Sequence, residues 1–376
     1  MSVLADAVKE FVADVAVPAE QELGLGEPSE ALRCRLQVAA RERGVFAPQV
    51  PRPLGGLGLA LPELRLVFEA AGYGLLGPLA LNCAAPDEGN IHLLDLLATA
   101  EQRVKYLEPL AAGEVRSGFA MTEPAPGAGS DPSLLLTRAE RTRAGWHIVG
   151  RKWLITGADG AAFTICVAKT SERRATLFVV DADAEGFHLV RRVPTIDHLM
   201  PGGHCELEYD CHVGHDAVLG EVGEGLRHTQ ARLVPARLTH CMRWLGVAQR
   251  ALDTALTFTA PRNLFGSRLH ELGLAQGLIA DSVIDIEASR ALVARACEEP
   301  SLATSSVAKV FVAEAVWRVV DRAVQLAGGA GVTHDLVLAR LAAEVRAFRI
   351  YDGSSETHRW AIARAATKRF ASSAQQ

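Results

Sequence analysis

The sequence lacks the features of membrane proteins, secreted disulfide-rich proteins and zinc proteins. No apolar run approaches the roughly 20 residues that a membrane helix requires. Residues 1–22 mix acidic and basic side chains with apolar ones, which argues against a signal peptide. The seven cysteines are scattered and form no C-x-x-C pair, so neither a disulfide framework nor a metal site is indicated. We therefore expect a protein of the reducing cytoplasm with no integral membrane segment.

The chain also lacks a strong excess of either charge. Its 376 residues have a formal net charge of -5, with 49% hydrophobic and 22% charged residues. This balance gives no electrostatic reason to expect a nucleic-acid partner. No G-x-G-x-x-G pattern follows a strand and opens a helix, which disfavours a nicotinamide cofactor. At about 100–200 residues per domain, the length predicts two or three packed units.

Three stretches of the chain differ in their hydrophobic pattern. Residues 1–118 repeat apolar side chains at helical spacing, and residues 119–225 change to short β-branched runs bounded by Gly, Asp and Pro. Residues 226–376 return to long helical patterns with few loops. We therefore predict an α+β multi-domain fold, with an N-terminal α-helical domain, a central β-barrel or sandwich domain and a C-terminal helical bundle.

Individual elements follow from local periodicity. Residues 163–167, 175–180 and 205–209 are predicted strands. A three-four spacing places five apolar residues on one helix face, and Gly328 and Gly329 then break that helix. The five residues are Val310, Ala313, Trp317, Val320 and Val324. A second buried helical stripe is expected at Ile279, Val283 and Ile286.

Three short segments carry groups suited to chemistry. In residues 122–131, glycines let main-chain amides approach a ligand, while Thr122 and Ser130 supply hydroxyl groups. The Trp-Leu-Ile-Thr run at 153–156 ends in another hydroxyl, and the Tyr-Asp-Gly-Ser-Ser run sets the carboxylate of Asp352 before a basic helical tail. Taken singly, these segments are also typical of a plain loop, a core strand and a turn.

Taken together, the three segments resemble the acyl-CoA dehydrogenase family of flavoproteins. Residues 262–266 and 325–331 resemble two further family segments, in the same order and at similar separations. The resemblance covers about residues 32–368. It implies bound FAD, an acyl-CoA substrate and the acyl-CoA dehydrogenase fold, in which the C-terminal domain is a four-helix bundle.

The resemblance also implies the catalytic residues. In this family a carboxylate on the turn before the last helix takes the α proton of the thioester while a hydride leaves Cβ for flavin N5. The matching residue is Asp352, where most members carry Glu. A branch of the family with His-Cys-Met-Arg before its Gly-rich helix also has Asp here, and this chain has that run at 240–243. Arg237 matches an arginine beside the base, and Ala236 occupies the place from which other members supply a Glu.

Further residues match the family's flavin contacts, and two positions depart from its pattern. Leu154 stands where the family commonly has an aromatic residue, and Gly273 stands where a glutamine holds the adenine. A short insertion at Ala125 and Pro126 precedes the Gly-rich run. The cofactor-binding residues implied by the resemblance are Met121, Thr122, Gly129, Ser130, Leu154, Thr156, Arg262, Phe265, Gln325, Gly329, Ser354 and Glu356.

The predicted reaction makes a trans-2-enoyl-CoA and passes electrons to an electron-transferring flavoprotein or an equivalent acceptor. Because Arg262 and Gln325 match residues that reach the flavin of a neighbouring subunit, we expect a homodimer or homotetramer. Two alternatives stay open at this point. One is a flavin oxidase of the same fold, as in the nitroalkane oxidases, and the other is a silent acyl-CoA-binding partner subunit. His240 and His358 lie near these segments, and structural roles are expected for both.

Overall fold

The computed structural model describes residues 2–373 and divides the chain into two compact units. The first, here called the helical unit, contains the residues up to 25, residues 60–78 and the residues from 237 onward. The second, the sheet unit, contains residues 26–59 and 79–236. Each unit is therefore assembled from stretches that are distant in sequence.

Short helices make up most of the N-terminal third. Two of them start at hydroxyl caps, because the side chains of Ser29 and Thr99 accept hydrogen bonds from the N–H groups of Leu32 and Gln102. The helices are α1 (Ser2–Phe11), α2 (Val17–Leu23), α3 (Glu30–Glu42), α4 (Leu61–Gly72), α5 (Gly77–Ala80), α6 (Asp87–Leu97), α7 (Ala100–Gln102) and α8 (Glu108–Ala111). Two π-helical turns, Val12–Ala16 and Arg103–Leu107, continue α1 into α2 and α7 into α8.

A single eight-stranded sheet forms the core of the sheet unit. Its strands are β1 (Ser117–Ala120), β2 (Arg138–Arg141), β3 (Gly145–Thr156), β4 (Phe163–Ser171), β5 (Arg174–Asp181), β6 (Phe187–Val193), β7 (His204–Gly214) and β8 (Val218–Leu219). The order is β6-β7-β3-β2-β4-β5-β8, and β1 pairs in parallel with β4. Trp146, Phe178 and Tyr209 are buried in its core. The strands predicted at 163–167, 175–180 and 205–209 lie within β4, β5 and β7.

Long helices fill the C-terminal part of the chain. They are α9 (Gly225–Thr259), α10 (Gly273–Glu298), α11 (Leu302–Ala327), α12 (Leu338–Arg346) and α13 (Ser355–Ser373), and a small hairpin of β9 (Asn263–Leu264) and β10 (Ser267–Arg268) follows α9. Helix α11 ends directly before Gly328, as predicted, and Ala313 and Val320 are buried on it.

The buried stripe predicted on α10 is confirmed only at Ile286, since Ile279 is half-buried. Ile286 is buried, but 45% of Val283 is exposed. Asp285 faces α11 instead, where Oδ1 accepts a 2.5 Å hydrogen bond from Arg318 and Oδ2 a 2.7 Å bond from Arg322. These ion pairs bring Asp285, rather than Val283, against α11.

The architecture confirms the predicted fold class, with helical N- and C-terminal regions and a central sheet. Across residues 2–373, no helix combines the length and the apolar character that crossing a membrane requires.

Candidate active site

The turn that carries Asp352 in the helical unit has an unusual backbone. Asp352 and Gly353 both lie at positive φ, +54° and +92°, a region that Asp tolerates better than most residues. The carbonyl oxygen of Asp352 accepts hydrogen bonds from Arg237 Nε and His358 Nε2, both at 3.0 Å. The carbonyl oxygen of Gly353 accepts from Lys309 Nζ at 2.9 Å. These donors lie on α9, α13 and α11, so three helices fix the turn.

Burial shifts the pKa values of two side chains that hold the turn. Burial, and then the charge of Arg237, lowers the pKa of His358 to about 4, so its ring is neutral. Since Nε2 donates to the carbonyl of Asp352, Nδ1 accepts from Ser306 Oγ at 3.0 Å. Burial also lowers the pKa of Lys309 to about 8, while the charge of Asp352 opposes the shift. A Cβ at Gly353 would lie 2.6 Å from His358 Nε2, so only glycine fits there.

The carboxylate of Asp352 has a direct partner on α9. His240 Nδ1 lies 2.9 Å from Asp352 Oδ2, and both side chains are largely buried. The two atoms are within ion-pair distance. The ring of His240 also packs 5.1 Å from that of Tyr351, and Tyr351 Oη accepts a hydrogen bond from Trp244 Nε1.

Arg237, His240 and Trp244 are three and seven residues apart, a spacing that places them on one face of α9. All three contact residues 351–352. Arg237 is buried, and burial lowers the pKa of its guanidinium although the charge of Asp352 opposes this. Its Nη1 atom has no hydrogen-bond partner within the described part of the chain. A buried, unsatisfied donor beside a carboxylate is a place where a polar group of a bound molecule fits.

The other predicted residues of the helical unit lie at its surface or at a helix start. Ser354 caps α13, since its Oγ accepts from Thr357 N at 3.2 Å, and the Glu356 side chain is exposed. Phe265, at the tip of the β9–β10 hairpin, is 95% exposed. Arg262, Gln325 and Gly329 are exposed as well.

In the sheet unit, the Trp-Leu-Ile-Thr run contains a β-bulge. Lys152 pairs with Leu207 and Ile155 with Cys205, so β3 has one more residue than β7 between these pairs. Leu154 sits in the bulge at φ +57° with 37% of its surface exposed. The bulge turns this apolar side chain out of the sheet, while Thr156 follows it at the strand end.

The predicted cofactor loop is tied to this bulge. The carbonyl of Thr122 accepts from Trp153 N at 2.8 Å, so Met121 and Thr122 run beside Leu154. Gly129 and Ser130 are exposed, and a Cβ built on Gly129 would meet no atom within 4 Å. The loop therefore presents open main chain and hydroxyl groups.

A buried ion pair supports the loop from below. Lys152 Nζ donates to Glu123 Oε1 at 2.9 Å and to the carbonyls of Met121 and Val167. Glu123 also accepts from the N–H groups of Leu136 and Thr137 at 2.7 and 2.9 Å. Burial raises the pKa of Glu123, but the charge of Lys152 and these hydrogen bonds outweigh it and leave the pKa below its ordinary value.

The same pair explains one of the loop glycines. A Cβ on Gly127 would lie 2.5 Å from Glu123 Oε2. Gly127 is therefore required by packing within the chain, whereas the side of Gly129 is open to a ligand.

Comparison with known proteins matches the whole length of this architecture. Family models of the acyl-CoA dehydrogenase N-terminal, middle and C-terminal domains match residues 2–114, 118–210 and 223–367. A probable acyl-CoA dehydrogenase, FadE2 of Mycobacterium tuberculosis, is 36% identical over 89% of this chain and 85% of its own. The chain belongs to the acyl-CoA dehydrogenase family.

Two further comparisons describe how far the likeness extends. Butyryl-CoA dehydrogenase from Megasphaera elsdenii has a similar structure, with a TM-score of 0.87 and 25% identity over 97% of both chains. Acyl-CoA dehydrogenase family member 11 of Gallus gallus is 33% identical over 95% of this chain. This acyl-CoA dehydrogenase spans only 49% of the length of that relative.

Membership of the family makes this acyl-CoA dehydrogenase an oxidoreductase that acts on acyl-CoA with FAD as cofactor. The residues present fit a flavin. The outward-facing Leu154 gives an apolar surface for a ring system, and the Thr156 hydroxyl and the open main chain at Gly129 offer polar contacts beside it.

Sequence reasoning did not assign His240 to the site, nor Glu123 and Lys152 to the support of the loop. The spacing of His240 from Arg237 on α9 was an available signal, because residues three apart share a helix face. The Glu123–Lys152 pair joins a loop to a strand 29 residues later, and nothing local indicates it.

Proposed function

We propose that this acyl-CoA dehydrogenase removes the α and β hydrogens of an acyl-CoA thioester to give the trans-2-enoyl-CoA, with Asp352 as the α-proton base. The contact of Asp352 Oδ2 with His240 Nδ1 at 2.9 Å is the observation that carries this assignment. The contact places a histidine against the carboxylate, and three other side chains hold the carbonyl groups of Asp352 and Gly353 in the same turn. A base held in one orientation needs little reorganisation in the transition state.

The residues have separate roles in this proposal. Bound FAD supplies the hydride acceptor at N5. Asp352 takes the α proton, His240 orients its carboxylate, and Arg237 fixes the carbonyl of the same residue. Leu154 and Thr156 face the flavin ring, and the open main chain at Gly129 lies beside it. Met121, Thr122, Ser130, Ser354 and Glu356 complete the proposed cofactor contacts.

The proposed quaternary state is a homodimer or homotetramer in the cytoplasm. Arg262, Phe265, Gln325 and Gly329 are all exposed, which suits contacts with the flavin of a neighbouring subunit. All seven cysteines are free thiols, which suits a reducing compartment. The electron acceptor is an electron-transferring flavoprotein or an equivalent one-electron carrier.

An anaerobic titration of the flavin absorbance with a panel of acyl-CoAs tests the proposal. At least one thioester should bleach the flavin absorbance of the wild-type protein. Asp352→Asn should keep FAD, but its rate of bleaching should be at least 100-fold lower. Asp321→Asn, which neutralises an exposed carboxylate on α11, is the matched control and should react like wild type.

Each other outcome points away from the proposal. Bleaching of Asp352→Asn at the wild-type rate would remove Asp352 as the base. Indifference to every thioester together with fast reaction with oxygen would favour the oxidase. A colourless protein that cannot take up FAD would favour the silent subunit.

A further inference from the structure

A row of three polar side chains leads away from Thr156 in the sheet unit. Thr156 and His204 are direct partners across the β3–β7 ladder, and Thr156 Oγ1 lies 3.0 Å from His204 Nδ1. His204 Nε2 in turn lies 3.0 Å from Asp197 Oδ2. The side chains of His204 and Asp197 are each only 18% exposed. The hydroxyl proposed to face the flavin is therefore the first group of a Thr–His–Asp chain.

The far end of this row borders a cavity of about 200 Å³. Its charged and titratable lining groups are Glu27, Arg192, Asp197, His198 and His204. Arg192 forms ion pairs with Glu27 and with Asp159, and its Nε lies 2.6 Å from Asp159 Oδ2. His204 therefore faces a hydroxyl on one side and a carboxylate on the other, and the cavity gives its proton a route to water.

Hydrogen-bond roles follow from the chemistry of these groups. Burial raises the pKa of Asp197, but the hydrogen bond and charge of His204 outweigh this and leave the pKa below its ordinary value. Ionised Asp197 only accepts, so His204 Nε2 carries a proton. Nδ1 of a neutral His204 accepts from the Thr156 hydroxyl, whereas Nδ1–H of a protonated ring donates to it. The protonation state of His204 thus sets the direction of the Thr156 hydroxyl.

We infer that His204, held by Asp197, couples its own protonation to the oxidation state of FAD through Thr156. The inference rests on the proposed function, in which Thr156 faces the flavin ring, and it takes flavin N5 as the atom that the Thr156 hydroxyl contacts. Oxidised N5 has no proton and accepts, which suits a hydroxyl that receives a bond from protonated His204. Reduced N5–H donates, which suits a hydroxyl that points at neutral His204. His204 and Asp197 are positioning residues, since neither touches the substrate.

The protons balance in both directions. Two-electron reduction of FAD to its anionic reduced form takes up one proton at N5. Where His204 loses one proton to water in the cavity at the same time, net uptake is zero. On reoxidation of the flavin by a one-electron carrier, the Thr156 hydroxyl would take up the released proton and pass its own proton to His204 Nδ1.

Equilibrium measurement of the flavin midpoint potential against pH tests the inference. When a two-electron reduction takes up one proton, the midpoint potential falls by about 30 mV for each unit of rising pH. Wild type should show an interval of pH in which the slope is clearly smaller. His204→Gln and Thr156→Val should keep the full slope throughout. Asp197→Asn should move the interval to lower pH, because the protonated ring loses its partner.

His198→Gln is the matched control, since His198 lines the same cavity and is more exposed. It should reproduce the wild-type curve. A wild-type curve with the full slope at every pH would overturn the inference, even if the variants failed to bind FAD. So would a flattened interval that persists in His204→Gln. Bleaching by an acyl-CoA in the same preparation separates this failure from a failure of the proposed function.

Discussion

His240 Nδ1 lies 2.9 Å from the carboxylate of Asp352, across the packing of α9 against the turn before α13. The histidine belongs to the His-Cys-Met-Arg run at 240–243. A shorter carboxylate has less reach, so its orientation is a stricter requirement.

Replacement of His240 should slow flavin reduction without preventing cofactor binding. His240→Leu removes the polar contact with the carboxylate, and we expect the rate of flavin reduction by acyl-CoA to fall roughly 10- to 100-fold. His240→Asn keeps an N–H near the position of Nδ1 and should retain most of the rate. Stopped-flow absorbance measures both. Equal rates for wild type and His240→Leu would show that the contact does not orient the base.

The Glu123–Lys152 pair should behave as one buried unit. Lys152→Met leaves a buried carboxylate and Glu123→Gln leaves a buried ammonium, so each should lower the free energy of unfolding by about 3–5 kcal/mol. The double variant should lose clearly less free energy of unfolding than the two single variants lose together, because it leaves no buried charge without its partner. Urea denaturation measures these values. Additive losses would contradict the coupling that the 2.9 Å contact indicates.

His358 should make stability depend on pH. Its folded pKa of about 4 is below the ordinary 6.5, so between these values the unfolded chain binds a proton that the folded chain excludes. The free energy of unfolding therefore falls as the pH is lowered, by about 2 kcal/mol from this group between pH 7 and 5. His358→Gln keeps a donor for the Asp352 carbonyl and should flatten that part of the profile. An unchanged slope in this variant would assign the pH dependence to other groups.

The outer face of α10 should be buried in an oligomer. Leu274 is 91% exposed and Ile284 is exposed as well. Ile284→Asp should shift sedimentation toward a smaller species, since a charge buried without a partner costs about 2–5 kcal/mol. Val3→Asp changes a similarly exposed apolar residue on α1 and serves as control. Equal shifts in both variants would point to general destabilisation, and none in either would place the interface elsewhere.

Local patterns predicted the regular elements well, because periodicity and glycine act over a few residues. The end of α11 at Gly328 and the strands within β4, β5 and β7 are examples. The exposure of Val283 was not predictable in this way, since it depends on ion pairs between Asp285 and residues of another helix. The role of Asp352 as the base was predicted by resemblance and stays a prediction.

The partners of the predicted site residues were not found, for the same reason. His204 and Asp197 meet Thr156 only because β7 pairs with β3, and the bulge at Leu154 depends on that register too. Sheet register is a long-range property that a single strand does not encode.

The Asp352 turn is held by hydrogen bonds from Arg237 on α9, Lys309 on α11 and His358 on α13. For protein engineering, this means that residues 351–354 are not an independent loop that can be exchanged between relatives. A redesign that moves the carboxylate by an ångström has to move three helix faces with it. Engineering is therefore expected to disturb the fold least when this turn is left intact and changes are made elsewhere in the chain.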